Sequence, residues 1–349
     1  MDSTEEVDIL DGHHPKKSQT FPWSSFRFSN PWKTWKFPTA LNALWWKMST
    51  VGRVDIGIPS DKTELDSKLP VIKPDWVELD GGVRVTWLGH ACVLVQLDGF
   101  TVLTDPVFSE RCSPIGFIGP KRYRDSPCEI DELPRIDAVV ISHNHYDHLD
   151  LNSVKLLNAR FGKKLQWFVP LGLASWMHDC NVDKENVTEM CWWEENSSVF
   201  PNRMKFIFTP AQHWCRRGAA DTNKVLWGSW CLKGPKHSFF FAGDTGKCPV
   251  FEVIGKKFGP FDLAAIPIGA YEPRWMMKAQ HVDPEEAVEI HREINARFSV
   301  GIHWGTFVLT DEHYLEPPKK LEEAAKQAKL SDGEFFILDH GESKHLLDD

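Results

Sequence analysis

From Val83 onward the apolar positions fall into short runs separated by turn residues. Val83, Val85 and Trp87 alternate with polar neighbours, Cys92-Val-Leu-Val-Gln-Leu follows, and Asp98-Gly99 precedes Phe100-Thr-Val-Leu-Thr. That spacing predicts a β-hairpin, because a period of two buries one face and Asp-Gly tolerates the left-handed backbone of a tight turn. Ala138-Val-Val-Ile-Ser predicts a short buried strand, followed by a His-rich loop and an amphipathic helix over 151–161. Similar units recur. Phe206-Ile-Phe-Thr leads to His213, Phe239-Phe-Phe-Ala to Gly243-Asp244, Leu263-Ala-Ala-Ile to Pro267, and Phe298-Ser-Val-Gly-Ile to His303. Helices are predicted over 284–296, with Asp283 as N-cap, Pro284 at the first position and Glu285 and Glu286 in the first turn, and over 317–329. Strands alternating with helices, each strand ending in a polar residue, predict a layered α/β protein with its site on strand-end loops.

The first fifth of the chain reads differently. Residues 1–20 are polar and are expected to be a mobile tail. Residues 21–50 are interrupted by Pro22, Pro31 and Pro38, which confines any helix to about 39–48. Residues 59–75 read as an extended linker, so the expected division is a segment over 1–58 and a catalytic domain over 59–349. A chain of 349 residues, 42% hydrophobic and 26% charged, can bury one extended core and is neither collagen, coiled coil nor disordered. Its eight Cys form no Cys-x-x-Cys pair and read as reduced thiols of an intracellular protein. The acidic start lacks the basic and apolar regions of a leader, and no run approaches the roughly 18 to 20 apolar residues that cross a bilayer.

Net charge is −9, which argues against a nucleic-acid partner, but the charge is uneven. Between Asp11 and Asp55 there is no acidic residue and there are seven cations, leaving the rest of the chain at −16. Aromatic residues interleave with those cations, Trp32, Trp35, Trp45 and Trp46 among them. Aromatic rings favour the membrane interface and basic residues favour anionic leaflets, so this stretch is expected to face a membrane surface. The same tryptophans also suit a core that packs across the domain.

After Ile141 the chain reads Ser142-His143-Asn144-His145-Tyr146-Asp147-His148. Four metal-ligand side chains within six positions, with imidazole and carboxylate but no thiolate, point to zinc or a related ion in an open, catalytic site. Taken singly, Asp244 beside Gly243 suits a turn and His303 a buried core histidine.

His-x-His-x-Asp-His resembles the signature of the metallo-β-lactamase fold, a four-layer αββα sandwich with a dinuclear metal site at strand ends. The resemblance implies two Zn²⁺, one held by His143, His145 and His213, the other by Asp147, His148 and His303, with Asp244 bridging. Asp105 and His90 would support the ligands. Longer runs, including Gly119-Pro-Lys-Arg, Trp192-Trp-Glu-Glu-Asn, Lys224-Val-Leu-Trp-Gly-Ser-Trp, Pro267-Ile-Gly-Ala-Tyr-Glu-Pro-Arg-Trp and Gln280-His-Val-Asp-Pro-Glu-Glu-Ala, resemble the N-acyl-phosphatidylethanolamine-hydrolysing phospholipases D over about 30–345.

That likeness implies hydrolysis of N-acyl-phosphatidylethanolamine to phosphatidate and an N-acylethanolamine, by water activated between the metals. Asp147, His281 and Gln280 would act at the reacting groups. Arg216, Arg217 and Trp214 would contact substrate, although an isolated Arg pair also suits a solvated face. Gly116-Phe117 replaces the family's Gln-Tyr pair, which leaves the head-group contacts open. A peripheral position on the cytoplasmic face of internal membranes (Golgi, endosome or endoplasmic reticulum) and a homodimer also follow from the resemblance. Two other readings use the same motif: a soluble lactonase or phosphodiesterase of this fold, and a lipid-binding scaffold without activity.

Overall fold

A computed structural model of the chain describes residues 12–20, 25–36, 38–39, 41–42, 48, 55–77, 79 and 81–346. Two seven-stranded mixed sheets face each other. The first runs in the order β16-β3-β4-β5-β6-β7-β8, with β3 at Val83–Gly89, β4 at Cys92–Leu97, β5 at Phe100–Thr104, β6 at Ala138–Val140, β7 at Gln166–Pro170, β8 at Val187–Met190 and β16 at Ser343–Leu346. The second runs β15-β14-β13-β12-β11-β10-β9, with β9 at Glu195–Asn196, β10 at Lys205–Thr209, β11 at Ser229–Lys233, β12 at Ser238–Phe241, β13 at Phe261–Pro267, β14 at Ala296–Ile302 and β15 at Phe335–Phe336. The expected hairpin is β4-β5, antiparallel, with Asp98 and Gly99 both at positive φ.

Helices follow the strands: α1 at Lys62–Lys68, α2 at Leu151–Phe161, α3 at Ala174–Asp179, α4 at Val250–Phe258, α5 at Arg274–Met277, α6 at Pro284–Glu293 and α7 at Glu316–Gln327. Asp283 caps α6 by accepting from the Glu286 amide, with Pro284 in the first turn, as its sequence predicts. The helix ends at Glu293, three residues short of the expected boundary.

Between the sheets the core is aromatic. Phe168 of β7 stacks on Phe206 of β10 with ring centroids 3.7 Å apart, and the Trp230 indole of β11 donates to the Ile141 carbonyl of the first sheet at 2.8 Å. Burying such large rings supplies most of the drive for the two faces to close. All eight cysteines are free thiols, seven of them buried.

Two expectations about the N-terminal part fail. Residues 62–68 are helical, not linker: Asp61 caps them, Leu65 is buried, and Asp66 pairs with the buried Arg124 at 2.7 Å. Residues 16–20 are not free tail but strand β1 (Lys16–Thr20), paired antiparallel with β2 (Ser25–Ser29). This hairpin docks on the catalytic unit: the Phe28 amide donates to the Asn223 carbonyl at 2.8 Å, and Arg27 reaches the carbonyls of Ala220 and Thr222. Trp32, expected at a membrane, stacks on Trp192 at 5.8 Å and donates to His13, so packing claims it. Trp45, Trp46 and most of the predicted 39–48 helix lie outside the described residues.

Helices α4 and α6 touch where Gly255 has no side chain. A Cβ there would stand 2.0 Å from the Glu293 carbonyl oxygen. Gly to Ala inside a helix ordinarily gains up to about 1 kcal/mol, but overpacking costs about 1–3 kcal/mol. Gly255→Ala is therefore expected to lower the midpoint of chemical denaturation. A raised midpoint would show that the helix pair yields freely.

Candidate active site and metal centre

Every expected ligand stands just beyond the end of a strand. β6 leads into the loop carrying His143, His145, Asp147 and His148, β10 into His213, β12 into Asp244 and β14 into His303. β3 and β5 lead in the same way to His90 and Asp105. Gly243, at φ 60°, leaves no room for a side chain, since a Cβ would lie 2.6 Å from that of Ser142.

The donors gather in two sets. His143 Nε2 and His213 Nε2 lie 2.8 and 3.2 Å from His145 Nδ1. Beside them, His148 Nε2 lies 3.1 Å from His303 Nε2 and 3.5 Å from Asp147 Oδ2. Asp244 touches both sets: Oδ2 is 3.1 Å from His148, 3.8 Å from His143 and 3.7 Å from His213, and Oδ1 is 3.0 Å from His303.

Three features of this donor set fit metal ions. Donors around a tetrahedral ion at about 2.0–2.1 Å sit roughly 3.3 Å apart, close to the separations found here. Asp244 Oδ1 approaches His303 Nε2 without hydrogen-bond geometry, which suits two ligands of one ion better than a donor and its acceptor. Among the described residues, histidines and not lysine or arginine face the half-buried Asp147 and the buried Asp244, so the carboxylates lack a permanent counter-charge.

The protonation balance follows the same lines. Burial drives His143 and His213 well below the ordinary histidine value and His145 to about 4, so these imidazoles are neutral, as a metal ligand must be. Burial also opposes charge at His148 and His303, but the carboxylates around them, Asp244 and Asp147 at both and Asp105 at His148, together outweigh it and raise His148 well above the usual value and His303 to about 9. The carboxyls of Asp147 and Asp244 are pushed up by burial and, more strongly, pulled well below the usual range by the imidazoles around them.

The supporting residues are hydrogen-bonded in chains. Asp105 accepts from His148 Nδ1 at 2.6 Å and from the Ser142 amide at 2.7 Å, and Ser142 Oγ also reaches His143 Nδ1 at 2.9 Å. A carboxylate on the outer nitrogen fixes the tautomer and aims the inner one. His90 Nε2 bonds Asp147 Oδ2 at 3.0 Å, while its carbonyl accepts from the His303 amide at 2.9 Å. His90, Asp105 and His303 all have positive φ, an unfavourable backbone region that non-glycine residues keep when surrounding contacts enforce it.

Other expected site residues take different places. His281 belongs to the site: Nδ1 is buried 3.9 Å from Asp244 Oδ2 with no hydrogen-bond partner, and burial lowers its pKa to about 4. Gln280 lines the cavity and also holds its neighbours in place. Its backbone carbonyl accepts from His213 Nδ1 at 3.0 Å, and its side chain holds the Trp214 indole and meets the Met277 sulfur. Trp214 lies edge-on to His145, with centroids 4.6 Å apart. Arg216 is exposed at the rim of the cavity. Arg217, expected to contact substrate, braces the metal loop instead: it donates to the carbonyls of Asn144 and Leu149 and lies 4.0 Å from the Tyr146 ring centroid.

Sequence reasoning missed Ser142, Thr306, which accepts from the His90 amide at 2.8 Å, and Asn30, whose side chain donates to the His213 carbonyl at 2.8 Å. Ser142 was findable, since it adjoins the motif. Nothing near Asn30 in the chain marks it. Over these residues opens a cavity of about 910 Å³, walled by Trp35, Trp214, Met276, Met277 and Leu309, with His145, Asp147 and Asp244 among its polar lining.

Comparison with known proteins agrees with this geometry. Residues 101–304 match the beta-lactamase superfamily domain. The chain is 48% identical over 294 residues to N-acyl-phosphatidylethanolamine-hydrolyzing phospholipase D 1 of Caenorhabditis elegans, an alignment covering 82% of each protein. It is 34% identical to the mitochondrial N-acyl-phosphatidylethanolamine-hydrolyzing phospholipase D of Saccharomyces cerevisiae, over 88% of this chain and 73% of that one. Among solved structures, Igni18, a metallo hydrolase of the archaeon Ignicoccus hospitalis, matches 76% of this chain and 99% of its own with a TM-score of 0.56 at 19% identity, which is a likeness of fold alone. The chain therefore belongs to the family of N-acyl-phosphatidylethanolamine-hydrolysing phospholipases D, within the beta-lactamase superfamily.

Proposed function

We propose that this chain hydrolyses N-acyl-phosphatidylethanolamine at the phosphodiester between phosphatidate and the N-acylethanolamine, with two zinc ions as cofactors. The observation that carries the reading is the pairing of seven candidate metal-ligand side chains from four strand ends, of which His145, Asp147, His213 and Asp244 reach the cavity, with a largely apolar space of about 910 Å³ above them. A charged phosphate on long acyl chains asks for that combination, and the volume lies in the range of ligand sites.

His143, His145 and His213 would hold one ion and Asp147, His148 and His303 the other, with Asp244 shared. Bound there, the ions polarise phosphoryl oxygens and lower the pKa of water from 15.7 to about 7. The residues around them orient and move protons. Asp147 Oδ2, steadied by His90 Nε2, is placed to take a proton from water entering the cavity. His281, neutral and with Nδ1 unengaged, faces the same cavity and can donate to a phosphoryl oxygen or to the departing ethanolamide oxygen. Trp214 covers His145 and keeps bulk water away. Arg216 at the rim offers a guanidinium to the phosphate. In this reading the protein works peripherally at a membrane surface, because its substrate stays in the bilayer.

Incubation with N-acyl-phosphatidylethanolamine is expected to give phosphatidate and free N-acylethanolamine by mass; fatty acid or glycerophospho products would overturn the assignment of the bond. Asp105→Asn presents an amide to His148 Nδ1 and is expected to weaken metal retention about 10–100-fold, read as metal per chain after dialysis against a chelator. Retention equal to the parent would remove Asp105 from the support of the site. His281→Gln is expected to lower kcat about 10²-fold with metal content unchanged, and full turnover would exclude a part in the chemistry.

A further inference from the structure

Residues 112–120 form a closed loop at the mouth of the cavity. Its neck is pinned: the Cys112 amide donates to the Pro120 carbonyl at 3.1 Å, and Arg111 donates to the Gly119 carbonyl at 2.7 Å. Cys112 and Pro120 themselves line the cavity. Beyond the neck the Ile118 amide closes a turn on the Ile115 carbonyl at 3.2 Å. The tip carries its apolar side chains outward, with Phe117 77%, Ile118 57% and Ile115 44% exposed. Across the mouth, helix α5 shows Trp275 at 51% exposure, while its neighbours Met276 and Met277 line the cavity. Exposed large apolar groups scattered singly need no explanation, but three on one preformed turn beside a substrate entrance do.

Cations predominate around the loop. From Arg111 to Arg124 there is no acidic residue and there are four cations. Of these Arg122 and Arg124 are buried, and Lys121, 54% exposed on its side chain, pairs with Glu110 at 2.6 Å. Lys278, just past α5, is 72% exposed and lies 3.7 Å from Glu286, and Arg216 stands exposed on the rim.

We propose that the 113–119 turn is the element that enters the membrane: Phe117, Ile118 and Ile115 insert among the lipids of an anionic phospholipid surface, with the rim cations against its headgroups. The proposal rests on the reading of this chain as a lipid hydrolase and deepens it. N-acylation removes the positive charge of the ethanolamine nitrogen, so a surface rich in substrate is itself anionic. Insertion at the turn sets the cavity mouth at the level of the phosphates, so a lipid passes from bilayer to site without crossing water. Trp32 and Trp35 of the 21–50 stretch are not the inserting groups in this arrangement, since Trp32 is packed on Trp192 and Trp35 lines the cavity.

The test is co-sedimentation of the full chain with vesicles of phosphatidylcholine and phosphatidylserine, without substrate, so that its failure is separate from failure of the catalytic reading. The wild type is expected to bind, and Ile115→Ser/Phe117→Ser/Ile118→Ser to bind about tenfold or more weakly, with an unchanged thermal midpoint. Phe117→Trp is expected to show added fluorescence that brominated acyl chains quench. Equal vesicle binding by the triple variant, or an unquenched Trp at 117, would overturn the proposal. So would a triple variant that changes only the oligomeric state by sedimentation, which would make the turn an interface between two copies.

Discussion

Asp244 reaches imidazoles carried by both sheets, and the site depends on that reach. His143 and His148 come from the first sheet, His213 and His303 from the second, and the carboxylate lies within 3.0–3.8 Å of all four. Contact on that scale requires the two strand ends to approach until backbone meets side chain, which the missing Cβ of Gly243 permits. The aromatic core sets the separation of the sheets, and stacked rings such as Phe168 and Phe206 resist compression or slippage. Packing far from the chemistry thus determines whether a carboxylate can bridge two groups of ligands.

Holding several titratable groups out of water is costly, and the surroundings show how the cost is met. Asp105 takes three hydrogen bonds, from the Ser142 amide and hydroxyl and from His148. His90 serves twice, through its ring to Asp147 and through its carbonyl to His303. Arg217 ties down the carbonyls of the 143–150 loop. The left-handed backbone at His90, Asp105 and His303 is maintained by the same bonds, so a change at one support is transmitted to the geometry of several ligands.

Much of this was legible in the chain. The hairpin at 83–104, the strand before His143 and helix α2 follow from local periodicity and turn chemistry, which act within a few residues. The cluster of candidate ligands was legible because metal chemistry admits few residue types. What escaped depends on distant partners. Helix α1 has one buried apolar residue, Leu65, and no periodicity to read; its register rests on the Asp66 pair with Arg124. Strand β1 looks like a polar tail, and β2 like part of an aromatic and basic surface stretch, until Asn223 offers its carbonyl to Phe28. That the Gln280 carbonyl holds His213 was not legible, since no side-chain pattern reports where a backbone oxygen points. Arg217 was read as a phosphate contact because aromatic sandwiching and carbonyl bracing leave no mark in sequence.

The docked N-terminal hairpin changes what shortening the chain would mean. Asn30 holds the carbonyl of His213, and Thr34 bonds Gln212, the residue before it. Any agent that peels this segment away, whether a protease, a fused tag or a competing partner, releases one wall of the catalytic pocket together with the leash. Losses after such trimming would then report a loosened His213 as readily as a lost foothold on lipid.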